Sequence, residues 1–152
     1  MFQLLVSGGT LVIAGVIGIP AFLASLSPAF QQRRKANWLP VGRLDDFPVA
    51  TVQEAVMVAE RVRWPRSFRE KQVFVWRRQA DDLVVFSRSC TDLGCPLDYD
   101  RGSGCFFCPC HGGIFDQAGN RLAGPPNRPL ERYRHRVRDG ILEVDEFSLP
   151  GA

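Results

Sequence analysis

Hydrophobic and polar positions divide the chain into two stretches of opposite character. The first, MFQLLVSGGTLVIAGVIGIPAFLASLSPAF (residues 1–30), holds no charged side chain, and the first charge is Arg33. About 20 predominantly apolar residues cross a hydrocarbon core of about 30 Å, so this run predicts one transmembrane helix near residues 4–26. Gly8, Gly9, Gly15, Gly18 and Pro20 weaken a helix in water. A bilayer tolerates them, and small residues let a neighbouring helix approach. A cleaved secretory signal is the competing reading, but it starts with a positive segment, and no Lys or Arg precedes the apolar run. Residues 1–30 are therefore read as a retained anchor and residues 31–37 as a polar linker.

From residue 38 to 152 the pattern is that of strands. Residues 38–41 form a short apolar segment ended by Gly42, and residues 55–62 alternate weakly. Residues 72–76 and 83–87 are rich in Val and Phe and are separated by the polar segment 77–82, which predicts a hairpin. Near the C-terminus Tyr133, His135 and Val137 alternate with Arg132, Arg134 and Arg136, the pattern of a half-buried strand. Asp139-Gly140 is a strong hairpin turn, and residues 141–144 form the returning strand. No helical period of any length follows the anchor, so a small antiparallel β domain is expected. Residues 124–129, GPPNRP, form a stiff loop whose plainest reading is a connection between strands.

Composition narrows the function classes. A net charge of +3 over 152 residues is too small to indicate nucleic-acid binding, so no nucleic acid is expected among the partners. The five cysteines are informative, because four of them fall between Cys95 and Cys110 once Cys90 is set aside. Only two histidines exist, His111 and His135. His135 lies in the strand pattern and reads as a packed or surface residue.

The cysteines sit in CTDLGC (residues 90–95) and CPCHGG (residues 108–113). Cys90-x-Asp92 and Cys108-x-x-His111 each place two metal-binding side chains on one tight loop, and the intervening segment is long enough for a hairpin that brings the loops face to face. On spacing alone three readings stand. Zinc takes Cys90, Cys95, Cys105 and Cys108; or the cysteines are disulfide staples; or an iron–sulfur cluster is held by mixed thiolate and imidazole ligands. Cys105, three residues before Cys108, points to the opposite face of an extended segment and reads as a small core residue.

CTDLGC and CPCHGG closely resemble the two cluster-binding loops of Rieske [2Fe–2S] proteins, CTHLGC and CPCHGS, and the likeness extends through FDQAGNRLAGPPNRPLERY. The resemblance implies a mainly β, Rieske-type antiparallel domain with cluster-binding loops at 90–95 and 108–113, preceded by one N-terminal transmembrane helix. It assigns Cys90 and Cys108 as thiolate ligands and His111 as an imidazole ligand, and it pairs Cys95 with Cys110 in a disulfide between the loops. That disulfide favours an oxidising, non-cytoplasmic side for the soluble domain, although Arg33, Arg34 and Lys35 after the span favour the opposite orientation.

Asp92 stands where the family has its first histidine. A carboxylate coordinates iron, so the implied ligand set is Cys90, Asp92, Cys108 and His111. The competing reading is a cluster-free domain in which Asp92 only caps a turn. High-potential members carry a serine and a tyrosine, hydrogen-bond donors to the cluster, at the positions of Gly113 and Phe115. Their absence predicts a low potential, suited to menaquinol, which Gly113→Ser or Phe115→Tyr raises. The resemblance as a whole implies a membrane-anchored, single-pass subunit of a respiratory or photosynthetic cytochrome bc-type complex. Such a subunit carries one electron from quinol, docked at His111, to a cytochrome c-type haem, beside a cytochrome b-like membrane subunit. It is an electron-transfer part of an oxidoreductase and not a complete enzyme. Rival readings are a cluster-free interaction subunit of such a complex and the small subunit of a molybdenum enzyme.

Overall fold

The sequences VFVW (residues 73–76) and LVVF (residues 83–86) are apolar without interruption. An antiparallel strand reads this way when both of its faces are buried. The computed structural model, which describes residues 15–20, 22–24, 35–58 and 70–149, shows that this is so. β3 (Glu70–Gln79) and β4 (Asp82–Ser87) pair as the predicted hairpin, from Val73 opposite Ser87 to Gln79 opposite Asp82. β2 (Thr51–Val58) and β9 (Arg132–Tyr133) flank them, giving the sheet order β2-β3-β4-β9.

A second sheet has the order β1-β11-β10, from β1 (Trp38–Arg43), β10 (His135–Arg138) and β11 (Ile141–Asp145). Val73, Val75, Leu83 and Val85 pack towards Leu39, Leu142 and Val144 of this sheet, with Phe47, Met57 and Tyr133. The alternate residues Phe74, Val84 and Phe86 face the opposite way. There they meet Cys90, Leu97, Phe106, Cys108, Phe115 and Leu130, which belong to or adjoin a third, smaller sheet. Its order is β5-β6-β7-β8: β5 (Asp98–Asp100), β6 (Cys105–Cys108), β7 (Gly113–Phe115) and β8 (Arg121–Ala123). Phe106 is the hinge pin of this second core. Its ring centroid lies 5.0 Å from Phe74, 5.4 Å from Phe86 and 4.9 Å from Tyr99, all within the range of favourable aromatic pairs.

Two strands differ from the sequence pattern. The strand expected over residues 55–62 begins four residues earlier, at Thr51, because its register is set by pairing with β3; residues 59–62 lie outside the described residues. The single strand expected over residues 133–137 is two. Tyr133 pairs with Val85 in one sheet and His135 with Val144 in the other, so the chain changes sheet at Arg134. The alternation therefore serves two cores in turn: Tyr133 is buried, while Val137 is exposed. At the turn Asp139 and Gly140 both have positive φ (51° and 74°), as a two-residue hairpin requires.

Residues 15–20 and 22–24 are helical. Most of the anchor expected over residues 1–30 lies outside the described residues, and among the described residues no helix is long and apolar enough to cross a membrane.

Candidate metal centre

Both cysteine loops are built on one plan. The N–H of Gly94 donates to the carbonyl of Cys90 at 3.0 Å, and the N–H of Gly112 donates to the carbonyl of Cys108 at 3.0 Å. Each turn is closed by a glycine in the left-handed region, Gly94 at φ 74° and Gly112 at φ 75°, where a side chain is strained. The first loop is pinned at its base by Cys90 N–H to Cys95 O at 2.7 Å. The second continues β6 and β7, with Cys108 opposite Gly113.

This plan puts different side chains at different depths. Cys90 and Cys108 are buried at the edge of the aromatic core and neither is in a disulfide. Burial pushes the Cys90 thiol above its usual range; a hydrogen bond from the Asp92 backbone amide opposes this, and the hydrogen bond and charge of Cys108 reinforce it. The two thiols are thus close neighbours. Further out, Asp92 Oδ2 lies 3.3 Å from His111 Nδ1, with His111 about half exposed. The four residues singled out in the sequence therefore form two facing pairs, one of buried thiols and one of an exposed carboxylate and imidazole.

Cys95 and Cys110 are joined in a disulfide that ties the loops together. The Cys108 sulfur lies within 4.8 Å of both sulfurs of that bridge. This trio is not a metal site, because two of its sulfurs are bonded to each other. The same bond removes Cys95 from the zinc arrangement considered above. Cys105 departs from its expected place in the core. It does lie on the opposite face from Cys108, but that face of β6 is the outer one, shared with exposed Phe107, and Cys105 is only partly buried. Its thiol reaches no further than the carbonyl of Ser103, at 3.6 Å. His135 is partly buried on β10, where it stands opposite Val144.

The loop at residues 124–130 does more than connect strands. Thr91 Oγ1 donates to the Arg128 carbonyl at 3.0 Å, and Arg128 Nε returns a longer bond to the Thr91 carbonyl at 3.4 Å. Gly124 packs against the backbone of Gly112 and Gly113, so closely that a methyl carbon there would stand 2.6 Å from the Gly112 oxygen. Pro126 is buried against Gly113. One loop thus braces both cysteine loops. Its composition, two prolines after a glycine, signalled stiffness; its partners were visible only in three dimensions.

The donor set suits a two-metal cluster bridged by sulfide: two soft thiolates on the buried side, and an imidazole and a carboxylate on the exposed side. The Rieske [2Fe-2S] domain family model matches residues 37–134. The menaquinol:cytochrome c reductase iron-sulfur subunit of Geobacillus thermodenitrificans is 26% identical over 147 residues, covering 94% of this chain and 86% of the relative. The cytochrome b6-f complex iron-sulfur subunit of Chlorobaculum tepidum is 27% identical over 137 residues, covering 90% of this chain and 69% of the relative. Among solved structures, a cyanobacterial plasma membrane Rieske protein from Synechocystis PCC 6803 shares the fold, with a TM-score of 0.52 at 24% identity, covering 70% of this chain and 98% of that chain.

Proposed function

Because the chain belongs to the Rieske [2Fe–2S] domain family, we propose that Cys90, Cys108, His111 and Asp92 hold its [2Fe–2S] cluster and that it serves as the electron carrier of a quinol-oxidising, bc-type complex. The observation that supports this reading best is the division of the four side chains into a buried thiol pair and an exposed Asp92–His111 pair, on loops locked by the Cys95–Cys110 disulfide. A bound cluster supplies one-electron transfer. The protein supplies the rest. Cys90 and Cys108 hold the cluster from the core side, where water is excluded. Asp92 and His111 hold it from the solvent side. His111 Nδ1 faces Asp92, which leaves Nε2 to accept the hydrogen bond, and then the proton, of a quinol hydroxyl.

The finer assignments belong to the same proposal. Menaquinol is the substrate that the names of relatives suggest, and it suits a cluster made electron-rich by an anionic Asp92 and lacking side-chain hydroxyls at Gly113 and Phe115. A cytochrome b-like subunit and a cytochrome c-type haem protein are the partners. Residues 1–30 anchor the subunit by one span, with the soluble domain on the non-cytoplasmic side, where the disulfide persists. The anchor is tested by washing membranes with high salt and then at alkaline pH: the subunit stays bound, since apolar burial is not screened. Release into the soluble fraction refutes a retained span.

One observation favours a second reading. The Asp92–His111 contact at 3.3 Å links the two loops with no metal, as a cluster-free interaction subunit would need. Iron and acid-labile sulfide analysis of anaerobically purified full-length protein, with electron paramagnetic resonance of the reduced form, decides between them. Two irons and two sulfides per chain with a Rieske-type signal are expected, and a metal-free preparation defeats the electron carrier.

A further inference from the structure

Four of the five cysteines meet at one place in two chemical states. Cys95 and Cys110 are joined as the clamp between the loops, while Cys90 and Cys108 are free thiols. The Cys108 sulfur lies within 4.8 Å of both clamp sulfurs, and Cys108 also shares a hydrogen bond with Cys90. Cys108 is thus the neighbour of a disulfide and of a second thiol at once. Cys105 stands outside this group, because its thiol turns to the Ser103 carbonyl on the outer face of β6.

Thiol–disulfide exchange requires this juxtaposition: a thiolate attacks a disulfide sulfur and forms a mixed disulfide. Cys110 is the expected leaving sulfur. A bridge from Cys108 to Cys110 would have to close around the single residue Pro109, whereas Cys95 lies on the facing loop. Cys110 is also exposed, so its sulfur is released into water. Cys90 and Cys108 are only 4% and 1% exposed, so a dissolved reagent meets the clamp before it meets them. Loop length does not oppose an exchange of partners. The cost of closing a loop grows slowly with its length, and the span from Cys90 to Cys108 is close to the separation of 15 between Cys95 and Cys110.

We propose that Cys108 is an exchange relay that, in the iron-free chain, moves the disulfide from Cys95–Cys110 onto the ligand pair Cys90–Cys108. In the first step Cys108, its proton given to water, attacks Cys95 Sγ. The Cys95–Cys110 bond breaks with its electron pair on Cys110, which takes up a proton. In the second step Cys90 attacks Cys108 Sγ in the same way, and Cys95 leaves as a thiol. These four sulfurs form one disulfide and two thiols before and after, so no oxidant is consumed. The product has both ligand thiols tied up and closed to iron. One part of the inference rests on the cluster reading above: held by iron, Cys90 and Cys108 are not free to attack, so a loaded chain keeps its clamp.

The test follows the disulfide in full-length protein. Iron is removed by a chelator under flowing argon, which sweeps away released sulfide, with no oxidant or added thiol. Samples taken over minutes to hours, the timescale of uncatalysed rearrangement, are alkylated, digested and mapped by mass spectrometry. Cys90–Cys108 peptides are expected to rise from none to a share comparable with Cys95–Cys110, while three alkylated cysteines per chain are found throughout. The loaded protein keeps its Cys95–Cys110 map. Cys90→Ser halts the relay at a Cys95–Cys108 bridge, Cys108→Ser abolishes it, and Cys105→Ala leaves it intact. The proposal is overturned if the iron-free wild type holds Cys95–Cys110 alone, if thiols are lost as Cys90–Cys108 appears, or if Cys105→Ala stops the transfer. A wild type that never holds iron overturns the cluster reading and the claim that iron guards the clamp; the map of that chain over the same hours still decides the relay.

Discussion

Replacing Asp92 by histidine exchanges a carboxylate for an imidazole at the position facing His111. If Asp92 is a ligand, the exchange removes one negative charge from the cluster unit, and the added electron becomes easier to accept. The size of the effect follows from the surroundings. Asp92 Oδ2 is 3.3 Å from His111 Nδ1, and the two side chains are 27% and 47% exposed, so the site is neither dry nor fully hydrated. Two unit charges about 4 Å apart interact by about 1 kcal/mol in water and about 4 kcal/mol at an effective dielectric constant near 20. For a one-electron couple about 59 mV corresponds to about 1.4 kcal/mol. Asp92→His should therefore raise the potential by roughly 40–170 mV. The assay is a redox titration at fixed pH, followed by electron paramagnetic resonance, with iron counted in the same samples. The pH dependence provides an independent check: wild type has one imidazole at the site and the variant two, so a second redox-linked ionisation near neutral pH should appear. A fully loaded variant whose potential is unchanged or lower refutes the ligand role of Asp92. A wild type without iron whose Asp92→His variant gains a Rieske signal shows instead that Asp92 serves the loop alone.

Two further outcomes concern stability. Cys95→Ser removes a bridge that closes a loop of sequence separation 15; chain-entropy arguments give about 3 kcal/mol for such a loop, so chemical denaturation should show a loss near that size, and a loss that persists unchanged when wild type is also reduced would contradict it. Burial raises the pKa of the Tyr133 hydroxyl, against the opposing bond to Ser87, so the folded state holds this proton more tightly than the unfolded chain. The resulting stability is present below about pH 10 and is lost as pH rises through the folded value; Tyr133→Phe should flatten that alkaline decline in denaturation curves taken from pH 8 to 11, and an equally steep decline in the variant would show that the hydroxyl is not responsible.

The parts of the fold legible in the sequence were those whose pattern is local. The β3–β4 hairpin announced itself by two Val- and Phe-rich runs, and Asp139-Gly140 by turn chemistry. The cysteine loops were legible because metal-binding residues must cluster at fixed short spacings. The third sheet was not. Its strands are three or four residues long, too short to show a period, and their sides are chosen by one residue, Phe106, whose partners come from β3, β4 and β5. Cys105 was misplaced for the same reason. Parity along β6 put it opposite Cys108, but only the sheet shows that this opposite side faces outward. The change of sheet at Arg134 was hidden because alternation continues across it. The role of Pro126 was hidden because its neighbour in space is Gly113, which carries no side chain to betray a contact.

The pairing of β1 with β11 has a consequence for how the chain is made. Trp38 pairs with Asp145, and β11 is the middle strand between β1 and β10, so the domain cannot close until its last strand has been synthesised. All five cysteines precede that strand. At about 5–20 residues per second, the roughly 35 residues that follow Cys110 up to the end of β11 take about 2–7 s to synthesise. Collapse of a chain this long takes at most about 100 μs. During those seconds the thiols belong to a collapsed but unfinished chain, and nothing in their spacing alone selects Cys95 with Cys110 over the other partners. Selection falls to the second core, built from residues between Val52 and Leu130, which withdraws Cys90 and Cys108 and leaves the right pair in reach. A nascent chain ending before Leu130 has every cysteine but lacks a member of the core that sorts them.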